Sequence, residues 1–158
     1  MNEKLLRRQL ISQLEGGAAY APVEETIRAV PAAHAGRRPR GMARTPWQLL
    51  EHMRIAQWDI LRFTVDRAHV SPPWPAGYWP EADAPPHDGA WATSVEAFHG
   101  DLEEVKRLAC DPAIDLSARI EWGTGQTVLR EILLVADHNA YHLGQLMLIR
   151  RALEATRV

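Results

Sequence analysis

The residues best suited to chemistry are His138 and His142, in the run His138-Asn139-Ala140-Tyr141-His142. A spacing of four puts both imidazoles on one face of a helix, one turn apart, where they can grip a single ion from one side. His52 sits in a second apolar segment, between Leu49 and Met53. If the two helices pack together, three neutral nitrogens converge and a coordination position stays open. Three protein ligands plus water is the arrangement of catalytic metal sites, whereas structural sites usually close all four positions.

Seven histidines scattered over 158 residues would give roughly 0.3 pairs at this spacing, so placement carries more weight than spacing. His52, His138 and His142 all fall on apolar helix faces, and a buried imidazole must satisfy two ring nitrogens or lose solvation energy. A shared metal answers for all three; the alternative is three separately hydrogen-bonded core histidines. Three imidazoles suit Zn, Ni, Fe or Cu. The pair lacks the glutamate of His-Glu-x-x-His metalloproteases, because Asn139 stands in its place, so no built-in general base is present.

Glu131, seven residues before His138, and Asp59, seven after His52, are candidates to accept the second N–H of a ligating ring. The preferred accounts are first-turn placement favourable to the helix dipole for Glu131 and a bundle-edge ion pair for Asp59. Asp137 could lie near the ligands or pair between helices. Tyr141 and Gln145 could touch a substrate or simply pack. His34, His69, His87 and His99 read as surface or helix-end residues, with His87 able to approach the site from its loop.

The elements that must position these groups are helical. Asn2 to Glu15 forms a first helix, stopped by Gly16-Gly17, and Pro22 to about Ala33 a second. A third begins with Thr45 as cap, Pro46 at the first helical position and Gln48 completing a capping box. It runs to about Arg67 with the stripe Leu49, Met53, Ala56, Ile60 and Phe63. Ala90 to Ala109 gives Val95, Phe98, Leu102, Val105 and Ala109 on one face. Asp111 to Gly125 is irregular, with a short extended piece around Ile114 to Ile120. The last helix runs from near Thr127 to about Glu154, with the stripe Val128, Ile132, Val135, His142, Leu146 and Ile149. No strand pattern is strong enough for a sheet, so the expected fold is an all-α four-helix bundle. The connection Ser71 to Gly89 holds six of the eleven prolines but also Trp74, Tyr78 and Trp79. Proline stops helices, and aromatics argue against disorder, so this is an ordered crossover loop packed on a bundle.

At 158 residues the chain fits one domain, 1–158. Its formal charge of -2 and the absence of a basic stripe argue against a nucleic-acid partner. Arg37-Arg38-Pro39-Arg40 is a short solvated turn. The lone Cys110 excludes an internal disulfide framework and a cysteine-rich metal site, and reads as a helix-end residue. No apolar run is long enough to span a bilayer, and Met1 to Leu10 lacks a signal-peptide core, so the expected location is the cytoplasm.

Three stretches resemble the DinB-like (DinB/YfiT) superfamily. Thr45 to Ile60, reading TPWQLLEHMRIAQWDI, is similar to the helix carrying its first ligand, Gly77-Tyr78-Trp79-Pro80 to its Trp-Pro loop, and Asp137 to Gln145 to the helix carrying the other two ligands. The resemblance implies a four-helix bundle of atypical crossover order and a divalent metal (Zn, Ni or Fe) held by His52, His138 and His142. It implies a homodimer and a small-molecule substrate. Characterised members include thiol S-transferases using bacillithiol or mycothiol, thiol-dependent isomerases and metal hydrolases. The expectation is therefore a metal-dependent S-transferase or hydrolase, with a low-molecular-weight thiol as a second cofactor. The competing reading is a non-catalytic metal-binding or stress-response bundle.

Overall fold

The structure, a computed structural model, describes residues 2–155. Met1 and 156–158, which the expected domain includes, lie outside the described residues. Helix α1 (Glu3–Glu15) is capped by the Asn2 side chain, which accepts from the Leu5 N–H at 3.2 Å, and ends where Gly16 takes φ 72°. Helix α2 (Val23–Arg28) stops well short of the expected Ala33. Pro31 has no N–H to donate and disfavours helical geometry at the residue before it, so the chain re-forms only a 3-10 turn at Ala32–His34.

Helix α3 (Pro46–Val65) opens with the full capping box: the Gln48 N–H donates to Thr45 Oγ1, and the Thr45 N–H to Gln48 Oε1. Leu49, Met53 and Ala56 are buried as expected, but Ile60 and Phe63 are only half-buried, while Leu61 and Thr64 take their place. The expected stripe follows a strict seven-residue repeat. A straight helix of 3.6 residues per turn drifts about 20° per heptad away from that repeat, which rotates the later positions off the core. Helix α4 (Ala90–Cys110) buries Phe98, Leu102, Val105 and Ala109, with Cys110 exposed as its last residue. Helix α5 (Val128–Ala155) starts after Thr127, whose hydroxyl accepts from the Arg130 N–H, and buries Ile132, Val135, His142, Leu146 and Ile149.

The four long helices close a ring in the order α1, α4, α3, α5, and α2 packs against α5. This is an all-α bundle. Among the described residues there is no sheet, and the expected extended piece near Ile114 to Ile120 amounts to one isolated bridge, Arg119 with Thr127. Among the described residues no helix is long and apolar enough to cross a membrane. Arg7 fastens α1 to the end of α4, donating to the carbonyls of Ala109 and Ile114 at 2.8 and 2.6 Å.

The segment after α3 is ordered, as its aromatics predict. It makes a 3-10 turn at Ala76–Tyr78 and lays Tyr78 and Trp79 against α3. Gly77 is required there by close approach: a Cβ on it would fall 2.7 Å from Pro72 Cβ and 2.9 Å from Pro73 Cδ.

Candidate metal centre

The neighbouring packing of α3 and α5 brings His52, His138 and His142 together, with one nitrogen from each ring inside a 4.8 Å cluster. The Nε2 atoms of His52 and His138 are 3.1 Å apart. His52 Nδ1 donates to the Tyr78 carbonyl at 2.9 Å. With the Gln145 amide oxygen facing its ring, His142 Nδ1 donates to Gln145 Oε1 at 3.0 Å. Each of these two rings therefore carries its proton on Nδ1 and turns an unprotonated Nε2 toward the cluster. Lone pairs facing one another in a buried space repel unless something positive lies between them. A proton on His138 Nε2 could serve His52, but among the described residues no protein group donates to His142 Nε2, which stays available on the cleft side. The donor set fits a cation.

The electrostatics agree. Burial pushes His52 down to about 4, against the smaller upward pull of the Tyr78 carbonyl. Burial pushes His138 down to about 3, and the imidazoles of His142 and His52 add to it. His142 is lowered by burial as well, with Gln145 opposing. All three are neutral at pH 7, the form a metal requires.

His52 is fixed by more than one contact. The Trp79 ring stacks on it at 3.7 Å with an interplanar angle of 6°. The Tyr78 hydroxyl donates to Asp59 Oδ2 at 2.5 Å, and His69 Nε2 donates to Asp59 Oδ1 at 2.7 Å. Asp59 thus anchors the turn whose backbone carbonyl orients His52. Asn139, next to His138, is buried. Its amide donates to Gln57 Oε1 at 2.8 Å, and Gln57 donates to the Phe98 carbonyl at 2.7 Å, which links α5, α3 and α4 behind the site. Gln57 is 1% exposed, so these bonds are made without competition from water.

His52 and His142 line a cleft of about 510 Å³. Trp74, Trp79, Tyr141, Leu148 and Ile149 give it apolar walls, and Arg44 and Gln145 are polar groups on its lining. Arg44 lies 4.2 Å from the Trp79 ring centroid.

Several readings of single residues change. Glu131 is buried at the start of α5, paired with Arg130 at 2.6 Å, in keeping with first-turn placement. Asp59 does make a pair, with His69, but it is 8% exposed rather than at the bundle edge. Asp137 is exposed. His34 is buried, not on the surface, and the His69 side chain is covered by Trp58 and Asp59. His87 lines a separate recess with Gly36 and Trp91. Sequence reasoning missed the Tyr78 carbonyl, for a backbone acceptor has no side-chain signature. It also missed Arg44 and Gln57, whose roles depend on which helix lies opposite.

The chain is thus an all-helical bundle in which imidazoles from two neighbouring helices converge beside an aromatic loop in a cluster that could hold a metal ion. The family can be stated: a family model of the DinB superfamily matches residues 17–146, and the chain belongs to that superfamily. Searches among curated proteins and among solved structures gave no significant match.

Proposed function

We propose that this chain is a divalent-metal-dependent enzyme in which His52, His138 and His142 are the metal ligands and a small electrophile is the substrate. The carrying observation is the convergence of three neutral imidazoles, two of which, His52 and His142, line a cleft and have their Nδ1 protons committed elsewhere. A bound Zn, Ni or Fe ion would supply Lewis acidity, lowering the pKa of a thiol or water so that it can attack at neutral pH. Tyr78 and Gln145 hold the ligand rings, Trp79 covers His52, and the apolar walls exclude water from the reacting groups.

Of the two reaction types expected, thiol S-transfer is better supported than hydrolysis. No Asp or Glu lines the cleft among the described residues. A metal can ionise either nucleophile, but amide hydrolysis also calls for an acid to protonate the leaving amine, whereas a thiolate displacing a halide needs none. The family expectation of a homodimer using a low-molecular-weight thiol is part of the same proposal. The test is metal content of protein purified without a nickel column, for the wild type and His138→Ala, with zinc titration calorimetry on both. About one ion per chain, lost in the variant, is the expected result. Thiol transfer to epoxides and alkyl halides is then assayed beside amide and ester hydrolysis. Absence of metal uptake would refute the proposal, and metal binding without turnover on any substrate would leave a non-catalytic metal-binding bundle.

A further inference from the structure

We infer that the cleft receives an anionic molecule, a carboxylate on an aromatic or aliphatic body, and that Arg44 selects its charge. This rests on the reading of the cleft as the substrate side of the histidine cluster.

Arg44 is the one formally charged side chain on the lining, apart from the neutral histidines. Some arginines of this protein are matched to carboxylates, such as Arg54 to Glu51 and Arg62 to Glu104, and others, such as Arg8 and Arg37, make no ion pair among the described residues; what sets Arg44 apart is its place on the cleft and on Trp79. Arg44 makes no ion pair among the described residues; its contact is the face of Trp79. A guanidinium carbon held over a ring face spends no N–H donor on an ion pair, so the in-plane donors of its edge remain for a ligand. That edge is the one that accepts a carboxylate through two parallel hydrogen bonds. The protein thus holds the cation in place through an aromatic ring and leaves its recognition edge unspent.

The rest of the cleft says what the anion is attached to. Trp74, Tyr141 and Leu148 are 75%, 66% and 56% exposed, and all three line this one cleft. Large apolar groups gathered at a concave site mark a binding surface for an apolar body. The same Trp79 ring that meets Arg44 stacks on His52, so the guanidinium and the imidazole cluster are separated by the thickness of one indole. A ligand whose carboxylate sits at Arg44 can therefore run its body along the aromatic wall and bring its other end to the histidines. The carboxylate can belong to the electrophile or to the thiol, since Arg44 reads the charge and not the rest of the molecule.

The test is an NMR titration of the metal-free protein at low salt, following the indole N–H signals. One arm compares 3-phenylpropanoate with 3-phenylpropanamide; the second compares 3-sulfanylpropanoate with its amide. The wild type is expected to bind the acid about fivefold to tenfold more tightly than the amide, the range of an exposed but bidentate charged pair. In Arg44→Gln the preference should fall to about twofold or less, and Arg44→Lys should restore part of it. Arg44 is exposed, so neither change threatens the fold. Preference in the phenyl arm assigns the carboxylate to the electrophile, and preference in the thiol arm alone assigns it to the thiol. Equal binding of acid and amide by the wild type, or an undiminished preference in Arg44→Gln, would overturn the inference. Zinc calorimetry reads the metal site separately: no metal uptake with the acid preference intact refutes the metal reading alone, and metal uptake without the preference refutes this one alone.

Discussion

Tyr78→Phe is the most informative single change, because it cuts the link between Asp59 and His52 without touching a ring that faces the cluster. The Tyr78 hydroxyl is pushed up to about 12, first by burial and then by its hydrogen bond to the Asp59 carboxylate, so it remains a donor at any working pH. Deleting it removes a 2.5 Å bond to a buried carboxylate and leaves His69 as the remaining side-chain donor to Asp59. Hydrogen bonds to charged groups contribute about 1.5–3 kcal/mol, so the metal-free protein should lose about 2 kcal/mol. For a chain of this size that is a fall of roughly 4–8 °C in Tm. The turn that presents the Tyr78 carbonyl is then held less firmly, and His52 loses part of its orientation. Partners of this kind typically change metal affinity by about 10- to 100-fold. Denaturant unfolding of the metal-free protein gives the first quantity and zinc calorimetry against a competing chelator the second. Loss of stability with wild-type zinc affinity would refute the reasoning, since it would mean that the Trp79 stack alone fixes the ring.

Three further outcomes follow from the same geometry. Gly77→Ala forces a Cβ into Pro72 and Pro73, so the turn must shift; weaker zinc binding and a changed Trp79 environment in near-ultraviolet circular dichroism should accompany it. Gln57→Leu breaks the link from Asn139 to the Phe98 carbonyl and leaves both buried groups without that partner, for a loss of about 2–3 kcal/mol in urea unfolding. His99 is lowered by burial, with its Nε2 buried and without a hydrogen-bond partner. The unfolded chain therefore takes up a proton near pH 6.5 that the folded chain resists, so this contribution is complete above about pH 6.5 and is lost as pH falls toward the folded value. His99→Gln should flatten the stability profile just below about pH 6.5, and an unchanged slope there would contradict it.

Local rules were enough for much of this protein. Thr45, Pro46 and Gln48 specify the start of α3 through bonds made within one turn, and Asn2 and Gly16 bound α1 in the same way. The spacing of His138 and His142 fixes their shared face, because helix geometry depends on backbone alone. The apolar stripes show that these helices must pack, and the aromatics in the proline-rich connection show that it is ordered. Which partners meet is a different kind of information. The tie from His52 to the Tyr78 carbonyl, and from Tyr78 to Asp59, joins positions whose contact depends on how the 66–89 segment folds back on α3. Arg44 looks like one more basic residue in a turn until Trp79 is laid beside it. The sequence by itself determined the helices, their caps and the types of ligand they carry, since those follow from bonds and periodicities within a few residues. The tertiary structure alone decided the orientation of each imidazole and the shape and charge of the cleft, since those arise from side chains far apart in the chain competing for the same space.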